Sequence, residues 1–269
     1  MLTPLFTRWN SFNRNVRLHF INVGLFTLTL DGGIYTVIFN LFMLRLGFGP
    51  EQVGTVNAAG MLAFAIASLP VGRLGERYSY RRMIMAGTAT SVVGTLLAAC
   101  AEFVPPSAQV ALMTVAMILV FVGLAAFFVN MVPYMVAFTD SHSRTSAFAV
   151  QSAIGGVFAF VGSLIGGNLP ALVASLTDTT LQTPGPYRFT LLLVPLLLLI
   201  ALRLGLLMRD PSNTTDEPAP LTPSPSTNTS TRQTVAMSFF WLIAFFALIR
   251  FLQVAFLGST STFFNVFMD

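Results

Sequence analysis

The 269-residue sequence predicts an all-α polytopic membrane protein: a six-helix transmembrane bundle, a long polar linker, and a seventh transmembrane helix. Three observations carry that prediction. Hydrophobic residues make up 55% of the chain and charged residues 9%, with a mean hydropathy of +0.77. A soluble domain is roughly a quarter charged, so lipid is the solvent this surface suits. Seven stretches are apolar over the roughly 20 residues that a helix rising 1.5 Å per residue needs to cross ~30 Å of hydrocarbon. Finally, the positive charge is all arginine and gathers on alternate connections between those stretches.

The spans are expected at 19–45, 52–72, 83–103, 108–138, 146–176, 187–208 and 236–268. The first follows MLTPLFTRWNSFNRNVRL, but its apolar run is longer than a signal-peptide core and lacks a small-residue cleavage pattern, so it reads as a helix that is retained. The second and third flank a charged stretch and contain the uncharged runs VGTVNAAGMLAFAIASLPV and MAGTATSVVGTLLAACA. The fourth, fifth and sixth are joined by short connections. Residues 209–235, RDPSNTTDEPAPLTPSPSTNTSTRQTV, are dominated by proline, serine and threonine without apolar periodicity and read as a disordered linker. The expected organisation is therefore 1–208 as the bundle, 209–235 as the linker and 236–269 as the first helix of an incomplete C-terminal bundle.

Orientation follows from arginines, which stay cytoplasmic when they sit in short loops. With the N-terminus inside, Arg8, Arg14, Arg17, Arg73, Arg77, Arg81, Arg82, Arg144, Arg203, Arg209 and Arg232 lie inside, and Arg45 and Arg188 outside. The N-terminus, the charged connection and the linker are thus expected to face the cytoplasm of a multi-pass cell-membrane protein. Because the arginines mark the ends of apolar segments, the net charge of +4 is no sign of nucleic-acid binding. One cysteine, Cys100, excludes an internal disulfide and a thiolate metal cluster. Two histidines, His19 and His142, leave little for a zinc site. No nucleophile–base or metal constellation can be assembled, so no enzyme, metal or cofactor is expected.

The charged connection has its own grammar. GRLGERYSYRRMI, residues 72–84, holds five charges between two uncharged runs. It resembles the signature loop of the major facilitator superfamily, Gly-x-Leu-(small)-Asp-Arg-x-Gly-Arg-(Arg/Lys), through Gly72, Leu74, Gly75, Arg77 and Arg81 or Arg82. Glu76, Ser79 and Tyr80 replace the usual aspartate, glycine and arginine. LGFGPEQVGTVNAAG upstream and VPYMVAFTDSHSRTSAFAVQSAIGG, with Asp140 and Arg144, are similar to the corresponding stretches of that family. An internal repeat agrees with it: Gly33, Phe39, Asn40, Phe42 and Met43 recur as Gly258, Phe264, Asn265, Phe267 and Met268, an offset of 225 residues. Parallel halves of a transporter predict such a recurrence. Five spans of the second half are then expected to be missing.

The resemblance implies a secondary transporter that works by alternating access on a small molecule, with protons as the expected drive and efflux as a possible direction. It also implies that Glu76 latches the cytoplasmic ends of the two halves, helped by Arg77 and Arg144. The competing expectation is a truncated, non-transporting membrane protein that acts as an interaction or regulatory partner. Besides lipid, the expected partners are a small-molecule substrate, protons, and either the missing half or a second chain.

Asp31, in TLTLDGGIYTV, is the one acid deep in a span. A charge there costs about 2.5–3.5 kcal/mol on insertion scales and marks a wet cavity or a bundle interior. Three readings are open: a proton-titrating or substrate-contacting carboxylate, a cap on a helix break at Gly32-Gly33, or a helix shifted so that Asp31 nears an interface. Arg250 in the seventh span either binds an anionic group or pairs with an acid, or else snorkels to an interface. Asn22, Asn40, Asn57, Asn130 and Gln151 either line the pathway or bond across helices. In the fifth span Gly155, Ala159, Ser163 and Gly167 recur every fourth residue, a pattern for close helix packing. GSLIGG, residues 162–167, is also similar to the Gly-Pro-x-x-Gly-Gly motif of the family's antiporters, with Ser163 for the proline.

Overall fold

A computed structural model describes residues 12–210. The linker beyond Asp210, the expected seventh span and Arg250 lie outside the described residues. The described chain is helical, without strands: α1 Arg14–Thr29, α2 Ile34–Arg45, α3 Pro50–Tyr78, α4 Tyr80–Ala99, α5 Pro106–Ala137, α6 Ser141–Leu176 and α7 Gly185–Leu206, with a 3₁₀ turn at Ala101–Phe103. Because α1 and α2 together make the first span, these are six helical stretches long and apolar enough to cross a bilayer. Proline opens α3, α5 and α7, where its missing N–H costs nothing. Pro70, Pro133, Pro170 and Pro195 sit inside helices, which membrane bundles tolerate because neighbouring groups satisfy the freed backbone.

The first span departs from a continuous helix. α1 ends at Thr29, and Gly32 takes φ 74°, a left-handed conformation that glycine alone adopts cheaply. The Thr36 hydroxyl bridges the gap. It donates to the Leu30 carbonyl at 2.7 Å and accepts from the Gly32 N–H at 3.2 Å. The N-cap of α2 is Gly33, without a side-chain bond, so Asp31 lies in the break but does not cap it. α6 seats Gly162 and Gly166 against this region: a Cβ on Gly162 would lie 2.9 Å from the Gly33 Cα, and one on Gly166 would lie 3.2 Å from the Ile34 Cα.

α4 packs most extensively on α5, through small residues on both helices. A Cβ on Gly87 would lie 2.6 Å from the Gly123 carbonyl oxygen, and one on Gly94 2.8 Å from that of Ala116. Without a hydrophobic drive in lipid, such close backbone approach is what holds helices together. α5 also packs on α3, α1 on α6 and α7, and α4 on α7. Numbered by span, this pattern maps onto itself when spans one to three are exchanged with spans four to six, as a repeat of three spans would. The second and fifth spans are the least buried. They turn Leu62, Ile66 and Leu69 of α3, and Val157, Phe160 and Leu164 of α6, outward.

Candidate functional site

The break in the first span opens onto a cleft of about 270 Å³. Val23 and Thr27 of α1, Asp31 of the break, Phe128 and Met131 of α5, and Gln151, Ser152, Gly155, Gly156 and Ala159 of α6 line it. The Thr27 hydroxyl is spent on the Val23 and Gly24 carbonyls at 3.0 and 3.1 Å. Phe128 is held edge-on against Phe26 and Phe127, with ring centroids 5.9 and 5.8 Å apart. Asp31 is the one formal charge in the lining, and no ion pair or hydrogen bond among the described residues engages its carboxylate. Gln151 is buried, with its Oε1 unbonded. A free carboxylate, a free amide oxygen, a phenyl ring and a thioether can hold a small molecule that is apolar over most of its surface and donates hydrogen bonds, or can exchange a proton with it.

Of the residues singled out in the sequence, Asp31, Gln151, Gly155 and Ala159 meet at this cleft. The asparagines do other work. Asn57 donates to Asn40 Oδ1 at 3.0 Å and to the Val53 carbonyl at 2.8 Å, joining α3 to α2. Asn130 donates to the Val71 carbonyl of α3 at 3.3 Å. Asn22 donates to the Ala201 carbonyl of α7 at 2.7 Å. On α6, Ser163 and Gly167 are outside the cleft, and Gly167 has open space where a Cβ would stand. Steps of four residues drift round a 3.6-residue helix, so the packed line runs through Gly155, Ala159, Gly162 and Gly166 instead. Phe128 and Met131 went unmarked in the sequence because an apolar lining residue looks like any other residue of an apolar span.

A second group lies at the α3–α4 connection. The segment resembling the signature loop is helical through Tyr78, and the connection narrows to Ser79, with φ 147° and ψ 137°. That conformation accounts for a glycine at this place in the pattern. Gly75 packs against Tyr80 and the Asn130 side chain, where any side chain would collide. Arg81 donates to the Gly205 and Leu206 carbonyls at 3.2 and 2.9 Å, closing the end of α7. Arg82 pairs with Asp210 at 3.7 Å, and the Ser79 hydroxyl also bonds Asp210. Gly72, Leu74, Glu76 and Arg77 lie on the last turns of α3. Leu74, Glu76 and Arg77 are exposed, and Arg77 rests 5.5 Å from the Tyr78 ring centroid. Asp140 is the N-cap of α6, its carbonyl receiving the Arg144 N–H at 2.9 Å. The Arg144 guanidinium donates to the Thr139 carbonyl at 3.4 Å, not to Glu76. The basic end of the segment is thus tied to α7, while its acid faces outward.

A polytopic helical bundle of six spans with a broken first span defines the class: a multi-pass membrane protein. The profile of the Major Facilitator Superfamily matches residues 21–269, and the chain belongs to that family. It is also 26% identical over 147 residues to the uncharacterized MFS-type transporter Rv1250 of Mycobacterium tuberculosis (strain ATCC 25618 / H37Rv). That match covers 55% of this chain and 24% of the relative, so the aligned part spans about a quarter of the relative's length.

Proposed function

We propose that the chain forms the N-terminal half of a secondary transporter that moves a small molecule by alternating access, coupled to protons through Asp31, with its N-terminus in the cytoplasm. The observation that carries this reading is the Asp31 carboxylate, at a helix break and without a partner among the described residues, facing a cleft between the first, fourth and fifth spans. A charge kept at that depth is costly unless it does something. A carboxylate with water access and no ion pair is free to gain and lose a proton as the cleft fills and empties. The apolar part of the lining, Val23, Phe128 and Met131, fits export of a hydrophobic compound. Glu76 and Arg77, exposed on the last turns of α3, are available as the latch to the second half, while Arg81 and Arg82 secure the bundle's own last helix.

The test is flux in vesicles reconstituted with the full-length protein, using a panel of radiolabelled hydrophobic and polar solutes and an imposed proton gradient. Wild type is expected to move at least one solute with protons, and Asp31→Asn to lose gradient-driven flux by tenfold or more while still exchanging solute. Normal gradient-driven flux in Asp31→Asn would overturn the assignment.

A further inference from the structure

Below the cleft, on the side of the chain's N-terminus, lies a histidine that the transport reading does not use. His19 is 0% exposed on α1, and among the described residues no hydrogen bond of good geometry reaches either ring nitrogen, although the Gln151 side chain stands beside the ring. Any neutral tautomer has one N–H and one lone pair, and an unmet buried donor or acceptor costs about 1–3 kcal/mol. Phe12, Val16, Phe20, Met135 and Ala147 form an apolar cluster at this end of α1, with the buried Asn15 and Asn22 about one turn either side of His19.

Two polar groups face the ring. On the cleft side is Gln151 of α6, close enough to act on the imidazole, with its amide N–H bonded only to the Met131 sulfur at 3.7 Å and its Oε1 unbonded. On the other side is Tyr134 of α5, its ring centroid 5.1 Å from that of His19. The Tyr134 hydroxyl donates to the Arg209 carbonyl at 3.2 Å, and the Arg209 N–H donates to Asn15 Oδ1 at 3.2 Å. Of the charged groups at this end of the bundle, Arg81 and Asp210 act on Tyr134, Arg144 in the first turn of α6 is partly buried with its Nε unbonded among the described residues, Arg203 of α7 and Arg14 of α1 are exposed, and Arg17 is partly so. Cleft, Gln151, His19, Tyr134 and the N-terminal face thus follow one another along this cluster. The two ring nitrogens and Gln151 Oε1 also supply the two to four partners that a buried water needs.

We propose that His19 is a proton-transfer station between the cleft and the N-terminal face of the bundle. This rests on the proton-coupled reading of Asp31. Twelve residues separate the two groups, so water carries the proton between them. The Asp31 carboxylic acid gives its proton to cleft water, and that water protonates the ring nitrogen on the Gln151 side. The imidazolium then releases the proton of its other nitrogen to water on the Tyr134 side. Only O–H and N–H bonds change, Asp31 is left as carboxylate, and the ring returns to neutral as the opposite tautomer. Imidazole is the side chain that can do this near neutral pH.

The test has two arms, both on the full-length protein. In the first, histidine ¹⁵N NMR in nanodiscs is recorded for wild type and Asp31→Asn, with His19→Gln assigning the signal. The His19 signal is expected to change its protonation or tautomer as the pH is lowered from neutral, and to do so at a different pH in Asp31→Asn. A single tautomer, identical in both proteins throughout that titration, overturns the proposal even if His19→Gln does not fold. In the second arm, His19→Gln vesicles are expected to keep solute binding and lose proton movement by tenfold or more. Unchanged proton movement overturns the station and leaves the transporter reading standing. Solute flux without protons in wild type overturns the coupled reading of Asp31, and the NMR arm then decides whether His19 exchanges protons at all.

Discussion

At the scale of single residues, small side chains decide where the backbones meet. Gly87 and Gly123 sit so close across α4 and α5 that one methyl group has nowhere to go. Gly87→Ala is therefore expected to lower stability by about 1–3 kcal/mol through overpacking, read as a lower midpoint of thermal unfolding in detergent. Gly156→Ala, where a Cβ meets nothing within 4 Å, should move that midpoint little; equal effects would argue against close approach as the cause. Asp31 was conspicuous in the sequence because an acid inside an apolar run is rare, but its exposure at the break and its lack of a partner among the described residues were not legible there. The Gly87–Gly123 contact was not, since small residues are scattered through every span and only the rotation of two helices selects the pair that meets. His19 was likewise legible as a residue but not as a site: its place between Gln151 and Tyr134 depends on three helices at once.

At the scale of elements, the spans were readable to within a few residues because each is an apolar run bounded by charge, proline or glycine. The exceptions are instructive. Gly32-Gly33 split the first span, the break the sequence offered in one of three readings of Asp31, although Asp31 does not cap it. The charges of residues 72–78 were expected in a turn but ride on a helix, because nothing before Ser79 breaks the backbone pattern. At this joint Arg81 and Arg82, adjacent and identical in type, do unequal work. Arg81 is partly buried and closes two carbonyls of α7, whereas Arg82 is largely exposed and holds Asp210 across 3.7 Å. Arg81→Ala is expected to cost about 1.5–3 kcal/mol, the range for a hydrogen bond to a charged group, and Arg82→Ala about 0–1 kcal/mol, as for a surface ion pair. Unfolding midpoints of the two variants test that order; a larger loss for Arg82→Ala would refute it.

At the scale of the whole molecule, the proposed orientation places the connection after α4 on the face away from the N-terminus. Cys100, exposed at the end of α4, is the chain's sole cysteine and a ready reporter. A membrane-impermeant maleimide should label it in intact cells expressing the protein, while a cysteine introduced at Glu76 in a Cys100→Ser background should react only after permeabilisation. The reverse labelling would invert the topology. The membrane class and the first six spans followed from composition and run length alone. The cleft did not, because it forms where spans one, four and five converge, and sequence distance carries no record of that convergence.

The exchange of spans one to three with four to six leaves one well-packed pair unmoved: the third span against the sixth, α4 on α7. The ring contacts of the first span on the fourth, Phe26 against Phe127, are likewise their own image, while the other seams have twins, so the two-fold axis of the repeat runs through both. At the α4–α7 seam Gly205 meets Met85, and Arg81 grips the two final carbonyls of α7. Mechanically that seam is an axle. A side chain that widens it displaces both three-span wings by the same amount in opposite senses, whereas one that widens any twinned seam tilts a single wing and leaves the bundle lopsided.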